Sequence, residues 1–264
     1  FFLHNLITND GVQSIAQFRK DSLFSNYAIS SQNDNCIAFS LDLSLLLRAL
    51  RSASGISSAA DCLQIKLVKK LPPNSTSPMP FLTFETKGYA SAVIQDIPIS
   101  KPMSRAQLLE LQNALDDAQD LPRTLVGISE LDKMLNFVER MKQLGDVIEI
   151  GIARNGELSL KVSSSLVTLG AEFKRLMIVG EDSEVDSNGD GNGNGSESSV
   201  LVSMKHFVKC LQCHLSKPDC AFFGVARMGG SLTVVFQYFV SGSRTTDKSV
   251  SLHCRLPVLD PGAS

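Results

Sequence analysis

The stretch IEIGIARNGELSLKV, residues 148–162, decides the fold class. Apolar residues alternate with polar ones on both sides of Asn155-Gly156, and Asn-Gly supplies the two positive-φ positions of a type I′ turn between twisted strands. A β-hairpin is therefore expected. The same signature recurs around Lys87-Gly88 in FLTFETKGYASAVIQDI (81–97) and around Gly229-Gly230 in CAFFGVARMGGSLTVVFQYF (220–239). Upstream of each hairpin the apolar residues switch to helical spacing, over Asp42 to Ala53, Ser129 to Leu144 and Ser203 to Leu215. The middle stretch opens with SELD, a Ser followed three residues later by an acid, the signature of a capping box at Ser129.

In order, the chain gives strand CIAFSLD (36–42), helix, strand CLQIKLVKK (62–70) and hairpin. It then gives strand LPRTLVGI (121–128), helix, hairpin and strand LVTLGAEF (166–173), and last VLVS (200–203), helix, hairpin and KSVSLHCRL (248–256). One strand-helix-three-strand unit repeats at intervals of about 70 to 90 residues, each helix covering a sheet face. Before the first full copy stand only FFLHNLI (1–7) and VQSIAQF (12–18), with the turn signal Asn9-Asp10-Gly11 between them. They resemble the tail of a fourth copy, so the first domain is expected to lack its opening strand and helix. The expected class is α+β, with two similar domains each built from a doubled β-α-β-β-β unit. The first covers 1–97, an exposed connector 98–120, and the second 121–264. The acidic, Gly- and Asn-rich stretch 181–199 cannot pack a core and is expected to be disordered.

Composition narrows the function. The chain has 264 residues, 43% hydrophobic, with 25 Lys+Arg against 27 Asp+Glu. Any contact with nucleic acid must come from a local basic surface, since the overall charge is nearly balanced. No apolar run approaches the length that spans a bilayer, and FFLHNLITNDG has neither a basic n-region nor a cleavage site, so a soluble intracellular protein without membrane contact is expected. Six cysteines, several inside apolar runs, suit a reducing compartment.

The helix faces carry the functional signal. On the first helix Leu43, Leu46, Leu47 and Leu50 are expected to face the sheet, leaving Ser44, Arg48 and Arg51 outside. The second is expected to bury Leu131, Leu135, Val138 and Leu144 and to show Lys133, Asn136, Arg140 and Gln143. The third is expected to bury Met204, Phe207, Val208, Leu211 and Leu215 and to show Lys205, Lys209 and Gln212. One solvated helix face with Lys and Arg is ordinary. Three homologous ones in a slightly acidic chain would place a positive surface against phosphates without base-reading side chains. The DNA-facing candidates are thus Arg48, Arg51, Lys133, Asn136, Arg140, Lys205 and Lys209.

Other motifs point less far. DSNGDGNGNGSE, residues 186–197, meets the literal calcium-loop pattern, but the segment before it reads as strand rather than helix. Cys210, Cys213 and His214 spell CxxCH and, with Cys220, half a zinc site. Leu211 belongs to the buried stripe, however, and no second well-spaced pair completes a tetrahedral set. Neither a metal nor a cofactor is expected, His4, His206 and His253 stand isolated, and none of the common catalytic fingerprints occurs. No enzymatic activity is expected.

Two domains of doubled units with basic helices on one side is the plan of sliding clamps such as proliferating cell nuclear antigen. Within that superfamily FLHNLITNDGVQSIAQF, AFSLDLSLLLRALRSA, FLTFETKGYASAVIQDIPI and LDKMLNFVERMKQLGDVIEIGIARNGELSLKV resemble the Hus-type subunit of the heterotrimeric nine-one-one DNA-damage checkpoint clamp. The resemblance covers nearly the whole chain. It implies a non-catalytic subunit that joins two other clamp subunits, is placed by a clamp loader, encircles double-stranded DNA without sequence preference and recruits signalling and repair client proteins. The family's wider roles span double-strand break repair by homologous recombination, nucleotide-excision repair, telomere maintenance and meiosis. Its location would be the nucleus, with nucleolus and cytoplasm as further compartments. By position, the strands around Tyr89, Val93 and Ile94 and around Leu166, Leu169 and Phe173 correspond to the edges that pair neighbouring subunits. A homotrimeric processivity clamp, a calcium-responsive protein and an enzyme on the same fold remain the alternatives.

Overall fold

Strands that are apolar on one face must pair and lay that face against helices, and a computed structural model shows where this happens. The structure describes residues 2–5, 11–55, 62–73, 76–87, 92–180, 197–226, 230–243 and 245–259. In chain order the first elements are β1 (Phe2–Asn5), β2 (Gln13–Phe18), α1 (Lys20–Leu23), α2 (Leu43–Gly55), β3 (Cys62–Lys70), β4 (Met79–Lys87), β5 (Ala92–Pro98) and α3 (Arg105–Gln119). Then come β6 (Thr124–Ile128), α4 (Leu131–Met141), β7 (Val147–Ala153), β8 (Glu157–Ser163), β9 (Thr168–Phe173) and β10 (Met177–Gly180). The last are β11 (Glu197–Ser203), α5 (Met204–Leu211), a 3-10 turn (Gln212–Ser216), β12 (Cys220–Val225), β13 (Ser231–Gln237) and β14 (Val250–Pro257).

The chain divides into two compact units, one of Ala28–Ala114 and one of Phe1–Tyr27 together with Leu115–Ser264. The first residues belong to the larger unit because β2 pairs antiparallel with β14, from Val250↔Phe18 to Arg255↔Gln13. The compact units therefore do not follow the limits 1–97 and 121–264 residue for residue.

In the larger unit the strand order is β1-β2-β14-β13-β12-β6-β10 in one sheet and β11-β7-β8-β9 in the other. The expected repeat is present twice, as β6-α4-β7-β8-β9 and β11-α5-β12-β13-β14. Met134, Val138 and Met141 of α4 and Phe207, Val208 and Leu211 of α5 enter one core with Ile148, Ile150, Leu158, Leu160 and Phe223. The smaller unit has the three-stranded sheet β3-β4-β5, with α2 laid across Phe84 and Ile97 through Leu46 and Ala49.

Several expectations change. The strand expected at 36–42 is an irregular segment, tied to 99–103 by a single Leu41↔Ile99 bridge and by bonds such as Ser100 N–H to Ser40 O at 2.9 Å. The Asn155-Gly156 turn is not type I′, since only Gly156 has positive φ, at 80°. Arg154-Asn155-Gly156 form a three-residue loop closed by Gly156 N–H to Ala153 O at 3.1 Å. That is the type I turn with a left-handed glycine after it. A Cβ at Gly156 would stand 2.7 Å from Leu176 O, so the position needs glycine on two counts. The connector holds α3, opened by a reciprocal cap in which Ser104 N–H bonds Gln107 Oε1 at 3.0 Å and Gln107 N–H bonds Ser104 Oγ at 3.4 Å. SELD makes no such box: α4 starts at Leu131 with Glu130 as its N-cap and no side-chain cap bond.

Residues 197–199, expected in the disordered loop, are strand residues of β11 paired with 151–153 of β7. The rest of that loop and most of the calcium-loop pattern lie outside the described residues. So do Asn9-Asp10, Gly88 and Gly229 of the expected turns, and Tyr89.

Candidate functional site: basic helices and open strand edges

Helix α2 begins where Asp42 accepts bonds from the Ser44 hydroxyl at 2.6 Å and the Ser44 N–H at 2.7 Å. Those bonds hold the Asp42 carboxyl below its ordinary range. Arg48 and Arg51 are exposed, as the spacing predicted. The buried stripe is different. It consists of Leu46, Ala49 and Ala53, while Leu43, Leu47 and Leu50 are 49%, 47% and 41% exposed. The register explains this. Helix α2 sits over the β4–β5 side of its sheet, and Leu63, Ile65 and Leu67 of β3, in line with Thr86, Phe84 and Leu82, remain uncovered. Two apolar rows are thus left exposed, one on α2 and one on β3.

Helices α4 and α5 pack beside each other in the larger unit. Lys133, Asn136 and Arg140 on α4 and Lys205 and Lys209 on α5 are all exposed, because Met134, Val138, Phe207 and Val208 take the inward positions. The electrostatics differ between the two. Helix α5 carries no acid, whereas α4 carries Asp132 and Glu139, and Lys133 Nζ lies 2.7 Å from Glu130. An exposed i,i+3 pair of this kind is worth about 0–1 kcal/mol, so a phosphate can displace Glu130, but part of the gain is forfeited. Lys142, exposed at the C-cap of α4, was not singled out from the sequence. Leu215, expected in the core, is 75% exposed because α5 ends at Leu211 and a 3-10 turn follows. Leu135 and Leu144 are half-buried, and Met134 and Met141 take the inward positions instead.

The expected assembly strands are the terminal strands of their sheets. β5 pairs only with β4, and β9 only with β8, so among the described residues each has one outer edge without a strand partner. Four other strands also end sheets, namely β1, β3, β10 and β11, and β11 is partly covered by a Leu259 N–H to Leu201 O bond at 2.7 Å. On β5 Val93 is half-buried and Ile94 is 58% exposed. On β9 Leu169 and Phe173 turn inward against the core, Phe173 meeting Phe137 edge-to-face at 6.1 Å. Leu166 is not in a strand. It occupies the turn before β9 and is 92% exposed.

Across the outer face of the small sheet, Lys70 Nζ reaches Asp96 at 2.7 Å and Lys66 reaches Glu85 at 2.9 Å. Partial burial raises the Asp96 carboxyl, but the bonds from Lys70 and Thr83 outweigh it and leave the pKa lowered. The cysteines do not assemble as the half-zinc pattern would require. Cys220 lies in β12 with its sulfur toward Ala221 O, Cys210 lies at the end of α5 and Cys213 in the 3-10 turn after it, and among the described residues no three such side chains are grouped to hold a metal. Among the described residues no helix is long and apolar enough to cross a membrane.

Comparison with known proteins matches this chain over residues 1–244 to the family described as Hus1-like protein. It is 30% identical over 216 residues to the checkpoint protein hus1 homolog of Dictyostelium discoideum, covering 80% of this chain and 72% of that protein. To the human checkpoint protein HUS1 it is 29% identical over 178 residues, covering 67% of this chain and 60% of that protein. Among solved structures, the proliferating cellular nuclear antigen of Entamoeba histolytica superposes with a TM-score of 0.54 at 12% identity, covering 95% of this chain and 81% of the other. At that identity the likeness establishes the clamp fold alone.

Proposed function

The chain belongs to the Hus1-like family, and we propose that it is a non-catalytic subunit of a heterotrimeric checkpoint sliding clamp. In this reading the ring encircles duplex DNA and displays surfaces to signalling and repair proteins. Its two clamp domains are 1–97 and 121–264 by repeat, joined by 98–120. The observation that carries the reading is the pair of open edges, β5 ending the sheet of one compact unit and β9 ending a sheet of the other. Joining β5 of one subunit to the equivalent of β9 on the next continues both sheets. Repeated head to tail, such a contact builds a ring when the rotation from one subunit to the next closes. Val93, Ile94, Leu169 and Phe173 flank that seam, and Leu166 stands at its end.

Arg48, Arg51, Lys133, Asn136, Arg140, Lys205 and Lys209 then line the DNA side. Contacts to phosphate give affinity without sequence information, which suits a ring that must slide. No bond need be made or broken by the protein, because the tether is topological. A loader places the ring, and the work is done in the nucleus, with the nucleolus and cytoplasm as further sites. Repair of double-strand breaks, nucleotide excision, telomere maintenance and meiosis fall within the same proposal. The test is retention on DNA: the assembled, loaded complex should survive a high-salt wash on nicked circular DNA and be lost when that circle is cut. Equal retention before and after cutting would exclude encirclement.

A further inference from the structure

Strand β9 ends its sheet with the core only partly sealed. Its inward side chains Leu169, Ala171 and Phe173 pack against the core of the larger unit yet stay half-buried, whereas Val162, Leu160 and Leu158, the β8 residues they pair with, are fully buried. Phe137 of α4 meets Phe173 edge-to-face at 6.1 Å and is 41% exposed. Among the described residues no strand lies beyond β9 to cover these side chains. Phe137, Leu169, Ala171 and Phe173 thus make an apolar border along an edge that also lacks a strand partner, and one added strand would bury the border and pair the edge together.

Backbone pairing alone cannot choose that strand, because any extended segment without proline offers the same N–H and C=O groups. The side-chain row is what differs. On β5 of this chain Val93, Gln95 and Ile97 share the face turned to α2, with Ile97 in the core and Gln95 opposite the buried Phe84. If β5 of a second copy joined β9 with the helix sides of both sheets aligned, Gln95 would stand opposite Leu169, Ala171 or Phe173 in every antiparallel register that keeps it within β9. Its amide is half-buried in the single chain and would there be sealed against apolar side chains. Removing a polar group from water without giving it a hydrogen-bond partner is unfavourable.

We propose that the apolar border at β9, anchored by Phe137, receives the terminal strand of a different clamp subunit with an apolar side chain where β5 of this chain has Gln95, and that Gln95 excludes a second copy from that place. This rests on the reading of β5 and β9 as assembly edges and adds what selects the partner. One polar residue in an otherwise apolar contact lowers stability and decides which chains associate. At the β5 edge the same amide asks for a partner strand with a hydrogen-bonding group opposite it.

The experiment follows the full chain by sedimentation velocity across a wide concentration range, alone and with the two other clamp subunits, with circular dichroism and heat unfolding to show that each variant is folded. The wild type alone should stay monomeric, Gln95→Leu should move to species of two or more chains as concentration rises, and adding Phe137→Ser to Gln95→Leu should return it to the monomer. With the other subunits, Phe137→Ser should weaken the complex by about tenfold and Phe137→Leu should restore most of the loss. A folded Gln95→Leu that stays monomeric at every concentration, while the wild type still joins both partners, would overturn the exclusion and leave the assembly edges standing. A wild type that joins neither partner would overturn both. Undiminished assembly of a folded Phe137→Ser would overturn the anchor, and that arm decides alone if Gln95→Leu does not fold.

Discussion

Removing Lys205 and Lys209 together takes two exposed charges from a helix that has no acid of its own. If both meet phosphates in the assembled ring, the slope of log affinity against log salt should fall in magnitude by about 1.8, at about 0.9 per phosphate contact. Over a fourfold rise in salt that difference amounts to a factor of about ten, which the wild type loses and the double alanine variant does not. Lys133→Ala should change the slope by less, because Lys133 already spends part of its charge on Glu130 at 2.7 Å. Fluorescence anisotropy of the assembled complex on a labelled duplex, titrated across salt, reads the slope directly. Both lysines are exposed, so their removal should alter folding stability by no more than about 0.5 kcal/mol. An unchanged slope in a folded double variant would refute the assignment of α5 to the DNA side.

Three further outcomes follow from packing and charge. Phe207→Ala should cost about 3–5 kcal/mol in denaturant unfolding, since Phe207 is fully buried against Phe223 at a ring distance of 6.4 Å. Asp96→Asn should cost about 0.5–1 kcal/mol at pH 7, because the Lys70 pair is a third or more exposed. The Asp96 pKa is lowered in the fold, so its contribution is present above the unfolded value near 4 and fades as pH falls through the folded one. Wild type and variant should therefore converge in acid melts. Leu47→Lys should leave secondary structure intact and reduce binding of an apolar dye, since Leu47 is 47% exposed and outside the buried stripe Leu46, Ala49 and Ala53.

What the sequence made legible was whatever is local and periodic. Alternation through 148–162 was enough to place β7 and β8, and the inward stripe Val138, Phe207, Leu211 came from helical spacing. The turn type did not, because Asn-Gly suits both a two-residue turn and a three-residue loop, and the contact with Leu176 selects between them. SRAQ carries the capping-box pattern as plainly as SELD does, yet of the two only Ser104 and Gln107 form one, since α4 starts at Leu131 and puts Glu130 rather than Ser129 at its N-cap. On α2 a run of leucines marks an apolar helix without saying which leucines meet the sheet. That depends on how far the helix reaches across β4 and β5. The contact of Ser14 with Cys254 was invisible for the same reason: the two are 240 residues apart. Only the β2–β14 pairing brings them together.

Light scattering after size exclusion, on this chain alone and mixed with the two other clamp subunits from the same source, addresses assembly most directly. The account predicts one species containing one copy of each subunit, absent when the chain is alone. That species should be lost when prolines replace alternate residues of β9. A stable trimer of this chain by itself, or a monomer indifferent to both partners, would contradict it.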